Sequence, residues 1–354
     1  QRKLPLMTDM ARLQQGGVGA QFWSVFIDSS VRGDAAIRET LQEIDVVDRM
    51  VHAYPNDLEM AYTADDIVRI HREGKISSLI GIEGGHQIGG SLAALRQFYR
   101  LGARYMTLAH FTNSEVADSA TDDPKWNGLS PFGRVVVGEM NRMGMLIDLA
   151  HVSAKTMTDA IALSKAPVIF SHSSARAVNE HPRNVPDDVL RLLPANGGVV
   201  MVNFYSGYVS EADRKWNAEE AAAEARLKDL LVGRPEERKA ALDAWKKANP
   251  EPKATVGEIA DHIEHIVKVA GHDHVGIGGD LDGIPYDEAP AGMNSVSGYP
   301  LLFAELIRRG WSDDDLAKLA GGNVLRVMRQ AEAVAASMKN VPPAMSDADI
   351  PKND

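Results

Sequence analysis

Seven short apolar runs, each separated from the next by a longer stretch, constrain this chain more than any other feature. They are Val18 to Phe26, Ile76 to Glu83, Ala103 to His110, Gly144 to His151, Ala166 to His172, Gly197 to Phe204 and His274 to Asp280. They are rich in Val, Ile, Leu and Met, and most lack in/out alternation, as expected of parallel strands covered on both faces. Between them, Ser91 to Leu101, Pro131 to Met143 and, more weakly, Ala154 to Ser164 carry apolar residues at helical spacing. Alternating strands and helices predict an α/β fold with a parallel sheet. Five runs end on a residue able to do chemistry: Glu83, His110, His151, His172 and Asp280. A parallel barrel builds its active site at the carboxyl ends of its strands, so five such ends favour a closed ring over an open sheet, which binds only near a switch point. The expected fold is a (β/α)8 TIM-type barrel, and the uncounted eighth strand falls before Val18.

A single barrel domain is expected over residues 1–340, followed by a loosely ordered tail at 341–354. Ser210 to Ala254 holds ten acidic and ten basic residues and predicts solvated helices inserted between the seventh and eighth strands of the ring. Such an insert is a surface elaboration, a lid or a dimer contact, and a homodimer is expected. The net charge of −11 carries no basic stripe, which argues against nucleic-acid binding. No apolar run is long enough to span a bilayer. The absence of Cys removes disulfides, Cys-ligated zinc and thiol nucleophiles. It does not fix the compartment; a periplasmic or secreted location is slightly favoured. Because the first residue is Gln1, the natural chain is expected to extend upstream.

Glu83, His151 and His172 form a ligand set suited to Zn²⁺ and, less selectively, to Mn²⁺, Co²⁺ or Fe²⁺. Asp280 is the candidate proton carrier, with Asp282 as competitor, though Asp282 more plausibly holds the turn at Gly283. Asp148 is a candidate buried partner of the ligands. Arg183, in a loop after the sixth strand, has the guanidinium fork that suits a substrate carboxylate. Asp118, Asp122 and Asp123 lie in a polar loop and can be solvated. His86 and His181 stay as supporting candidates, while His262, His265, His272 and His274 are set aside as lying toward the opposite face.

Several segments closely resemble the membrane dipeptidase (renal dipeptidase) family of the amidohydrolase superfamily. They are GAQFWS at Gly19, GIEGGH at Gly81, the stretch from Gly128 to Ser153, APVIFSHSSARAV at Ala166, RNVPDDVLR at Arg183, GGVVMVNFYSGYVS at Gly197 and the stretch from Asp261 to Ile284. The resemblance covers about Gly16 to Met328 apart from the insert. It implies a zinc dipeptidase with two zinc ions, acting on dipeptides that include those with a C-terminal D-residue. It makes Glu83 the bridging carboxylate, His151 and His172 the ligands of the second metal, and His110 the residue that binds the substrate and supports the oxyanion. Arg183 would bind the terminal carboxylate, and Asp280 would carry the proton. The family's first strand ends in His-x-Asp, which no residue before Gly16 matches; a trimmed amino terminus is the expected reason. Two other functions stay open: a metal-dependent amidohydrolase acting on N-acyl amino acids or cyclic amides, and a non-catalytic binding barrel.

Overall fold

The computed structural model describes residues 6–344. Eight strands form one parallel sheet: β1 (Ala20–Val25), β2 (Leu58–Met60), β3 (Ile76–Glu83), β4 (Ala103–Thr107), β5 (Leu146–Asp148), β6 (Ile169–Phe170), β7 (Val199–Val202) and β8 (Val275–Ile277). Their order is β1-β3-β4-β5-β6-β7-β8. Short β2 pairs with the first residues of β3, and β4 takes over from Ile80 onward. The sheet curls as a TIM-type α/β barrel does, with helices outside. Among the described residues no pairing joins β8 to β1, so the arc stays open at that seam. All seven expected strands are present; β2 and the long helix Gly33–Ala53 were not anticipated.

The strands are shorter than their apolar runs. Only Glu83 ends its strand; His110, His151, His172 and Asp280 lie two or three residues beyond theirs. The apolar character continues past the last ladder bond because these loops stay buried: Leu108, Ala109, Leu149 and Ala150 are fully enclosed. Burial on both faces accounts for the missing alternation, since every residue of β5, β6 and β7 is buried.

Helix boundaries follow local chemistry. Ser91, Ser130 and Ser153 each cap a helix through the hydroxyl, and Thr255 forms a reciprocal capping box with Glu258. Pro131 opens its helix and Gly144, at φ 83°, closes it. At the amino end, Met7 donates to Asp282 Oδ1 at 2.6 Å and accepts from Val296 N at 3.1 Å. Asp282 therefore anchors the amino-terminal segment; the Gly283 turn closes on the Asp280 carbonyl instead.

The insert is helical as expected, with helices Glu211–Leu230 and Pro235–Ala248, and the second buries none of its residues. Trp216 meets Trp245 with ring centroids 5.7 Å apart. At the base of the insert Asp213 is fully buried, and it groups with Glu251 and Glu288 of the loop after β8. Lys253 pairs with both glutamates. Burial, reinforced by Glu251, pushes the Asp213 carboxyl up to about 7. The folded chain then binds a proton that the unfolded chain releases near pH 4. Stability from this group is therefore present at low pH and lost as pH rises through 7. Asp213→Asn, neutral throughout, should melt like the parent near pH 4 and progressively higher than it from there to pH 8, as calorimetry at both values would show.

Candidate metal centre

The turn after β3 sets the site. Gly84 adopts φ 136°, and a Cβ there would lie 2.4 Å from the His86 ring, so only glycine lets the chain leave β3 sharply behind Glu83. Gly278, after β8, lies so close to β6 that a Cβ would sit 1.9 Å from the Ser171 carbonyl. That approach brings the loop carrying Asp280 against the one carrying His172. His151 and Asp280 both adopt left-handed backbone, at φ 67° and 56°, a conformation uncommon outside glycine and concentrated at functional sites.

Glu83, His151 and His172 converge. Glu83 Oε1 lies 3.1 Å from His151 Nε2 and 3.3 Å from His172 Nε2, and the two nitrogens are 2.8 Å apart. Ligands about 2.0–2.1 Å from one tetrahedral ion are about 3.3 Å from each other, so the trio fits a single divalent metal. His110 Nε2 is 3.6 Å from Glu83 Oε1. The second carboxylate oxygen, Oε2, accepts from Ser24 Oγ at 2.7 Å. Burial alone would raise the Glu83 carboxyl, but the imidazoles of His110, His151 and His172 gathered around it hold it well below the usual range. Burial, followed by the nearby Arg183 charge, pushes His151 well down. Burial also lowers His172, but Asp280 and Glu83 outweigh it and leave the imidazole raised.

Arg183 is 1 % exposed. Its guanidinium lies 5.4 Å from the Tyr208 ring centroid and reaches the His172 carbonyl at 3.4 Å. Nε and Nη1 have no acceptor among the described residues. Such a buried, under-bonded cation is costly and suits an incoming anion. Asp280 is half-buried, and Asn203 Nδ2 donates to its Oδ2 at 3.4 Å. Burial raises the Asp280 carboxyl, opposed by His172 and Arg183.

Other expectations need correction. Asp118 is not solvated: it is buried and accepts from the backbone of Lys125, Trp126 and Gly128 at 2.9–3.0 Å. His262 does not lie toward the opposite face, since it bonds Ala175 N and the Val209 carbonyl in the loops after β6 and β7. Both its nitrogens are used, so it is a structural link. His86 is buried against the Ile27 carbonyl, and His181 stacks on Tyr208. Ser24, Asn203, Tyr208 and two exposed rings beside His110, Phe26 and Phe111, were missed. Ser24 and Asn203 sit near strand carboxyl ends inside apolar runs, a position that was itself the available signal.

The membrane dipeptidase (peptidase family M19) profile matches residues 1–342. The chain belongs to that family. It is 42 % identical over 349 residues to dipeptidase tcpJ of Claviceps purpurea, an alignment covering 96 % of this chain and 73 % of that protein. The probable dipeptidase PvdM of Pseudomonas aeruginosa superposes with a TM-score of 0.81 at 28 % identity, covering 95 % of this chain and 91 % of that one. A metallopeptidase of Rhodobacter sphaeroides, crystallised with a phosphinate mimic of L-Ala-D-Ala, shares the fold with a TM-score of 0.76 at 22 % identity, covering 92 % and 91 %. Family membership makes this chain a metallo-dipeptidase, a hydrolase of dipeptides.

Proposed function

We propose that this metallo-dipeptidase is a zinc enzyme that cleaves free dipeptides, including those ending in a D-residue. The observation that carries the reading is the buried Arg183 guanidinium with two unpartnered nitrogens beside the Glu83, His151 and His172 cluster. A cation at that place recognises a carboxylate one residue beyond the scissile bond. An amidohydrolase indifferent to the substrate's terminus has no use for it. The Rhodobacter complex with its L-Ala-D-Ala mimic supports extending the substrate class to a C-terminal D-residue.

Glu83, His151 and His172 would hold the metal, with the second Glu83 oxygen able to take part in a binuclear site. A metal held there would supply Lewis acidity toward the scissile carbonyl and a water molecule. Asp280 accepts the water proton and delivers it to the leaving amine. His110 donates to the oxygen that gains charge. Arg183, aligned by Tyr208, fixes the carboxylate and so sets the register of the peptide bond. A panel of dipeptides with L- and D-residues at the second position tests this. Turnover should be lost to a chelator and restored by Zn²⁺. Turnover of dipeptides that resists complete metal removal, or hydrolysis of only N-acyl amino acids, would contradict it.

A further inference from the structure

We infer that Asp148 and Ser171 form a positioning pair that fixes the His172 tautomer and ring, an assignment that rests on the metal-centre reading. Asp148 ends β5 with no exposed surface, and among the described residues no Lys, Arg or His pairs with it. Four donors satisfy it instead. Oδ1 accepts from Ala150 N at 3.1 Å and Ser171 N at 2.7 Å. Oδ2 accepts from Ser171 Oγ at 2.6 Å and Thr107 Oγ1 at 2.5 Å. One carboxylate thus links the carboxyl ends of β4, β5 and β6.

The proton count gives the consequence. Both Asp148 oxygens act as acceptors, and the Ser171 hydroxyl gives its single proton to Oδ2. Ser171 Oγ, 2.8 Å from His172 Nδ1, must then accept from that nitrogen. Nδ1 carries the proton, and Nε2 is left with a lone pair aimed at Glu83 Oε1 and His151 Nε2. That is the tautomer a metal ligand needs, fixed from behind as ligating histidines commonly are. His151 differs, since its buried Nδ1 has no partner among the described residues and ring contacts with His110 and Phe111 hold it. His172 is therefore the pre-set ligand of the pair.

Asp148→Asn gives a specific prediction. Its amide can donate to Ser171 Oγ, turning the Ser171 proton toward His172 Nδ1 and forcing the proton onto Nε2, where it blocks ligation. Zn²⁺ affinity, measured by competition with a chelator of known strength, should fall about ten- to hundredfold in Ser171→Ala and in Asp148→Asn. Ser171→Thr, which keeps the hydroxyl, should stay within about threefold of the parent. The double variant Asp148→Asn/Ser171→Ala should bind no worse than the weaker single one, because the reversed hydroxyl is gone. Parental affinity in Ser171→Ala, additive losses in the double variant, or a Thr variant as weak as Ala would each overturn the pair. A parent protein that takes up no metal would instead overturn the metal centre on which it rests.

Discussion

Asp280→Asn should lower kcat by roughly 10²- to 10⁴-fold, the range for a lost general acid–base, while metal content stays near that of the parent. The change keeps volume and shape and removes only the capacity to take a proton. The backbone should not object, because Asn tolerates the left-handed conformation that Asp280 adopts at φ 56°. Steady-state kinetics with elemental analysis of the same sample checks both halves. Retention of most of kcat would assign the proton transfer elsewhere. Asp282 is a poor substitute, since its Oδ1 is taken by the Met7 amide.

Removing the Arg183 charge should give the next largest effect, with opposite signs for activity and stability. Truncating one partner of a buried charge pair costs about 2–5 kcal/mol, so Arg183→Met should lower kcat/KM for free dipeptides by roughly 30-fold at least and toward 10³-fold. Substrates amidated at the C-terminus have no charge to lose and should be poor for both proteins. In the ligand-free enzyme the balance reverses. Contact with Tyr208 is worth at most about 2 kcal/mol, whereas desolvating an unpaired guanidinium costs several kcal/mol. Arg183→Met should therefore melt a few degrees higher than the parent. Equal losses on free and amidated substrates, together with a lower melting temperature, would make Arg183 a structural residue instead.

What the sequence revealed and what it hid follow from physical range. Strand positions were legible because a strand buried on both faces must be apolar throughout, and Ile76–Glu83 matched its expected span. Strand ends were not legible, because buried loops such as Leu149–Ala150 are as apolar as the ladder. Glu83, His151 and His172 were readable as a group because polar residues at the ends of apolar runs have few structural uses. Ser24 and Asn203 were hidden because small polar side chains inside apolar runs are commonplace; only their distances to Glu83 and Asp280 reveal them. The role of Asp282 depends on a contact 275 residues away in sequence, beyond any local pattern. Asp118 was misjudged because a polar loop can fold around one carboxylate and bury it.

The central claim is that one metal is shared by Glu83, His151 and His172. Crystals of the metal-loaded protein, with anomalous data collected on both sides of the absorption edge of the bound element, test it most directly. A peak is expected about 2.0–2.2 Å from Glu83 Oε1, His151 Nε2 and His172 Nε2. An active dipeptidase whose anomalous peak lies elsewhere, with these three side chains bonded only to one another, would contradict it.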